Sequence, residues 1–162
     1  MITALPNRAD IFFVRTNERG YCPICGTALL MRGWRARNMI ENSGAKVKLK
    51  IRRLKCGKCK RIHHELPDCI VPYKRHSAET IENIISGSSE NVPCENRTIR
   101  RIVYWWKTVL PYFLSILKSL AEKYELKFDE PPLFKEIIQA AVNTNNWIFA
   151  ESVCTRTVLL SG

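Results

Sequence analysis

Two cysteine pairs, Cys22-Pro23-Ile24-Cys25 and Cys56-Gly57-Lys58-Cys59, stand 30 residues apart and constrain this chain more than anything else in it. A CxxC turn directs two sulfurs to one side of a tight loop, with backbone N–H groups aimed at them. Two such turns brought together complete a tetrahedral shell of four thiolates. Thiolates are soft ligands that select zinc, and four of them leave no open coordination position. The expectation is one structural Zn2+ held by Cys22, Cys25, Cys56 and Cys59. Its binding energy then stabilises the first half of the chain. Gly26 after the first pair and Gly57 inside the second suit the left-handed backbone such turns demand. A redox dithiol would open a helix after a strand, and neither pair precedes a helical pattern. His63 and His64 follow the second pair. One is expected to pack beside the metal shell and the other to face solvent. Cys69, Cys94 and Cys154 are isolated and read as small core residues.

Between the pairs, Lys46-Val47-Lys48-Leu49-Lys50-Ile51-Arg52 alternates basic and apolar residues. That period of two predicts a half-buried strand with Val47, Leu49 and Ile51 on one face. Asn42-Ser43-Gly44 before it is a turn signal, and Thr27 to Trp34 is the expected partner strand. A short strand with a loop is expected within residues 1–20. After Pro72 the period becomes helical. Ser77 is a good N-cap, and Ile81, Ile84 and Ile85 follow at helical spacing, which predicts a helix from Ser77 to Ser86 that stops at Gly87. A loop to Pro93 precedes a second helix beginning at Glu95 or Asn96, with Ile99, Ile102, Val103 and Trp106 on one face. Pro111 should kink or break that helix. A further amphipathic stretch runs from Tyr112 to Tyr124, Asp129 to Pro132 is a boundary, and Leu133 to Val142 reads as another helix. The fold class is therefore α+β: a four-cysteine zinc ribbon over residues 1–75, a helix-turn-helix-like all-α region over 76–128, and a helical extension over 129–162.

Charge narrows the partners. The 162 residues carry a net charge of +11. Residues 1–108 hold 21 Lys/Arg against 9 Asp/Glu, whereas residues 109–162 hold 5 against 6. A basic excess confined to the first two thirds favours a polyanionic partner. On the alternating strand, Lys46, Lys48, Lys50 and Arg52 form a comb that suits successive phosphates. The competing reading is a strand edge kept from aggregation by its lysines. The second helix presents Asn96, Arg97, Thr98, Arg100 and Arg101 in its first turns. Arg bonds guanine bidentately and Asn bonds adenine, so Arg97, Arg100 and Arg101 join the comb as the expected DNA contacts. The loop between the two helices is longer than the three or four residues usual for a helix-turn-helix pair.

Other classes fit less well. Ile11 to Val14 is the sole apolar run before Arg19, and Ile102 to Leu120 is broken by Lys107, Pro111 and Lys118. A bilayer span needs about 20 mostly apolar residues, so neither a secretion signal nor a membrane partner is expected. The chain reads as cytoplasmic, with cysteines that bind metal rather than form disulfides. The acids between residues 122 and 136 surround a proline-rich break with no metal-ligand spacing, and no catalytic constellation is expected.

The CPxCG knuckle, the run Ile51-Arg52-Arg53-Leu54-Lys55-Cys56-Gly57-Lys58-Cys59, then Ile62 to Asp68 and Val71 to Ser77 resemble small bacterial zinc-ribbon proteins of uncharacterised function. Their plan is similar to the zinc-ribbon and helix-turn-helix front ends of insertion-sequence transposases. The resemblance spans roughly residues 20–108, and Thr98-Ile99-Arg100-Arg101 is similar to the second helix of that plan. It implies DNA binding, with catalysis supplied by a transposase or recombinase on another chain or absent altogether. The chain lacks room for the ribonuclease-H-like catalytic domain. The expected function is thus a zinc-dependent, non-enzymatic accessory or regulatory factor of a mobile element. RNA is the competing ligand. A protein-interaction adaptor is the competing class, docking through Trp105, Trp106, Tyr112 and Phe113 in the aromatic last third.

Overall fold

A computed structural model describes residues 3–7, 11–15, 19–147 and 157–159. The fold is α+β. The elements are β1 (Thr3–Asn7), β2 (Ile11–Arg15), β3 (Leu29–Ile40), β4 (Lys46–Cys56), β5 (Ile62–Glu65), α1 (Ala78–Ile85), α2 (Asn96–Tyr124), α3 (Phe134–Asn143) and β6 (Thr157–Leu159). Cys154 falls outside the described residues.

The alternating segment is β4, and it is the spine of the sheet. Antiparallel β3 runs along one of its edges from Leu29↔Cys56 to Ile40↔Lys46. The other edge is shared: β2 pairs in parallel at Lys48–Lys50 and β5 pairs antiparallel at Arg53–Lys55. β1 extends β2, and β6 extends β5. The strand-edge reading of the lysine comb is therefore corrected, because β4 is hydrogen-bonded on both sides. The N-terminal segment likewise holds two paired strands where one was expected.

β3 is longer than the Thr27–Trp34 partner read from the sequence. The turn at Asn42-Ser43-Gly44 is tight, with Glu41 N–H donating to the Ala45 carbonyl at 2.9 Å and Gly44 at φ 85°. A hairpin closed so tightly leaves no slack, so every residue from Arg35 to Ile40 meets a partner on β4. The register slips once, between Met31 and Gly33. Gly33, at φ 131°, takes the kink that an extra residue requires. Leu49 and Ile51 are buried and Val47 half-buried, as the alternation predicts. They pack with Val14, Met39, Leu66 and Ile70 in a small sheet core.

The helices form a second, larger core. Ser77 caps α1, its Oγ accepting from the Thr80 N–H at 3.2 Å, and Gly87 at φ 87° follows its end. α2 buries Ile102, Val109, Phe113, Ile116 and Leu117 on one stripe. Helix α3 joins the same core through Phe134, Ile137, Ile138, Ala141 and Val142. The aromatic residues expected to dock a partner mostly face inward. Phe113 is buried, Trp106 meets Phe134 edge-on at 5.1 Å, and Tyr112 donates from its hydroxyl to the Asn146 carbonyl. The break expected at Pro111 is corrected: α2 is one helix of 29 residues that continues through it. Both Pro111 and Lys107 are exposed, so the carbonyl left without a donor can be satisfied by water.

Candidate metal centre and basic groove

The two cysteine turns are built alike. In the first, Cys22 N–H donates to the Thr27 carbonyl at 2.9 Å; in the second, Cys56 N–H donates to the Arg61 carbonyl at 2.9 Å. Each turn goes left-handed at the residue after its second cysteine, Gly26 at φ 68° and Lys60 at φ 61°. The left-handed residue of the second turn is thus Lys60, and the expected role of Gly57 is corrected. β3 and β4 bring the turns together, since Leu29 and Cys56 are register partners.

All four sulfurs lie within 4.8 Å of one another. Cys22 and Cys59 are 3.6 Å apart, and Cys25 and Cys56 are 3.4 Å apart. A tetrahedral ion with metal–sulfur bonds of about 2.3 Å needs sulfurs roughly 3.8 Å apart. The cluster therefore fits one four-coordinate, thiophilic ion. Among the described residues it is the one group of three or more metal-capable side chains. The surroundings differ from sulfur to sulfur. Burial pushes the Cys22 thiol up to about 11, while the Thr27 hydroxyl and N–H beside Cys25 bring its thiol down to about 6. The Arg61 backbone N–H also lowers Cys59. His63 is fully buried, with Nε2 3.5 Å from Cys22 Sγ, in reach to hydrogen-bond the sulfur. His64 is buried too, which corrects the expectation that one histidine faces solvent. It sits at the start of the sheet's shared edge, opposite Arg53.

The sequence-predicted contact residues divide into two groups. Lys46 and Lys48 are exposed, and Lys50 Nζ sits 5.3 Å from the Phe13 ring centre. Arg52 instead bonds both carboxylate oxygens of buried Glu65, which raises its already high pKa. Its charge is thereby engaged inside the fold. Arg97, Arg100 and Arg101 are all exposed and all line one groove of about 1310 Å³. Sequence reasoning missed the opposite wall, Tyr73-Lys74-Arg75-His76. The run of basic and aromatic residues there was the available signal. That wall is pinned to the sheet: Ile40 N–H donates to the Arg75 carbonyl at 2.8 Å, and Arg37 Nη2 donates to the Lys74 carbonyl at 3.1 Å. Lys74 Nζ lies 3.9 Å above the Trp105 ring. Burial and the neighbouring Arg75 charge lower the His76 pKa. Among the described residues, no Asp or Glu lines the groove.

These features define an α+β protein with a hairpin whose four clustered cysteines could hold one metal ion, and a basic groove beside it. Residues 22–102, half of the chain, match the family model of a domain of unknown function (DUF6431), and the protein belongs to that family. The matched region spans both cysteine turns, α1 and the first turns of α2. The match carries no link to transposases, and the ten residues between α1 and α2 do not form the short turn of a helix-turn-helix pair. No curated protein and no solved structure matches the chain. No described helix is long and apolar enough to cross a membrane.

Proposed function

We propose that the chain is a zinc-stabilised, non-enzymatic nucleic-acid-binding protein with DNA as its ligand. The observation that carries this reading is the groove, which gathers Lys74, Arg75, Arg97, Arg100 and Arg101 with no acid among its lining residues. Five cations held together repel one another unless an anion of matching spacing neutralises them. A phosphate backbone supplies such a series of charges. Lys46 and Lys48 extend the basic surface on β4, whose first residue is paired with the groove residue Ile40.

Zinc suits the four thiolates because it is thiophilic and d10, with no geometry of its own to oppose the tetrahedron. A closed sulfur shell makes its role structural. It ties β3 to β4, and β3 in turn holds the Tyr73–His76 wall. The narrower role, an accessory or regulatory factor of a mobile element, draws on the resemblance of the four-cysteine hairpin to the zinc-ribbon part of transposase front ends.

Fluorescence anisotropy with labelled DNA, titrated at several salt concentrations, tests the reading. Binding at low salt should weaken with a log–log slope between about −3 and −5, as expected for release of the counterions that five cations displace. Arg100→Ala should make that slope shallower by about one. Absence of binding to any DNA at low salt would sink the proposal.

A further inference from the structure

The groove's shape says which form of DNA enters it. Its helical wall runs from Asn96 to Val109, about 20 Å of α2. The arginines of that wall face a cleft closed on its other flank by residues 73–76. A helix that reads duplex DNA must stand out as a ridge, because the major groove is about 12 Å wide and takes a helix about 10 Å thick with little to spare. Here the exposed basic face of α2 is flanked by a second wall, residues 73–76, which a duplex lying along the helix would have to clear. One strand, with its phosphates on the arginines and its bases turned inward, has no such obstruction.

The groove also offers surfaces for bases. Tyr104 is 74% exposed and Tyr73 is 50% exposed, one on each wall. Trp105 also lines the groove, with Lys74 above its ring. Buried Ile102 and Val109, with Ile40, give an apolar floor. Tyr73 is held at φ 61°, a left-handed conformation that a bulky residue seldom adopts. The bonds from Arg37 and Ile40 to the next two carbonyls keep that segment in place. Rigid aromatic rings beside cations are what a single strand uses, since every base has a face to stack and every phosphate a charge to pair.

Resting on the nucleic-acid reading above, we propose that this groove binds single-stranded DNA. Anisotropy titrations of the full chain would compare one labelled mixed-sequence oligonucleotide as a single strand, as a duplex and as its RNA counterpart, all at the same salt. The single DNA strand should bind most tightly. Tyr104→Ala should weaken single-strand binding by roughly fivefold or more while leaving the salt slope unchanged, and Tyr104→Phe should restore it. A duplex that binds as tightly as the single strand would overturn this inference and leave the wider reading standing. The RNA strand binding more tightly than DNA would overturn the DNA assignment. Unchanged single-strand affinity in both Tyr104→Ala and Tyr73→Ala, with native dichroism, would overturn the role of the groove. Failure of every form to bind would instead sink the wider reading.

Discussion

At Cys25 the chain turns left-handed into Gly26, and at Cys59 it makes the same turn into Lys60. For an L-residue that conformation costs about 1–2 kcal/mol, since Cβ crowds the backbone. Glycine escapes that cost but has more freedom to lose from the unfolded chain. Lys60→Gly should therefore stabilise the metal-loaded protein by a net of about 1 kcal/mol, read as a higher urea midpoint at unchanged m-value. Gly26→Ala should shift the midpoint the other way. A Cβ at Gly26 meets nothing within 4 Å, so its effect would report backbone strain alone. The clustering of the four cysteines was readable from sequence because CxxC spacing encodes it directly. The strained position was not read, although aligning one turn on the other places Lys60 where Gly26 stands. The sequence places one of His63 and His64 beside the shell, but which of them, and which sulfur it meets, depends on how β5 registers against β4 (Leu54↔His63). No local pattern carries that.

The longest helix contains the residue expected to end it. A proline in a helix interior costs about 3 kcal/mol relative to alanine, through a lost hydrogen bond and a clash with the preceding turn. Here the cost is tolerated because the stripe of Val109, Phe113, Ile116 and Leu117 is anchored on both sides of Pro111 and the proline itself faces solvent. Pro111→Ala should consequently stabilise the protein, by about 1–3 kcal/mol, seen as a raised melting temperature with little change in helical dichroism. A lowered melting temperature would show that the ring packs usefully where it stands. Element types and most boundaries followed from local chemistry: the Ser77 cap, the alternation of β4 and the start of α2 all appear where the sequence signals them. What escaped was set by distant partners. The length of β3 is set by β4, and the continuity of α2 by the core that α1 and α3 complete. Likewise, the basic groove joins α2 to a segment more than 20 residues earlier, and no periodicity announces that pairing.

The molecule has two cores that meet where Ile70, in the sheet core, is followed by Val71, in the helical one. Backbone bonds add to that junction, Ser77 N–H donating to the Ile40 carbonyl and Ala78 N–H to the Cys69 carbonyl, both at 2.9 Å. The β3–β4 turn abuts the residue before Cys94, since a Cβ on Gly44 would come 3.3 Å from Pro93 Cβ. Lys135 on α3 reaches Asp68 at 2.8 Å, a pair too exposed to contribute much. The sheet core is small and the four-cysteine site lies at its far end, beyond Leu54, so an ion held there would stabilise the sheet more than the helices. The helical core contains at least 13 buried residues and none of the four ligands. Removing the ion should therefore divide the protein. Cys22→Ser, Cys59→Ser or a strong chelator should abolish metal binding, measured by elemental analysis, and collapse the amide resonances of β3 and β4. Most of the helical dichroism should persist. DNA binding should fall as well, because Arg37 and Ile40 on β3 are what hold the Tyr73–His76 wall against the arginines of α2. Should either serine variant keep full metal stoichiometry and native dichroism, the cysteines would not be the structural ligands; should the helices melt along with the sheet, the two cores would be one cooperative unit.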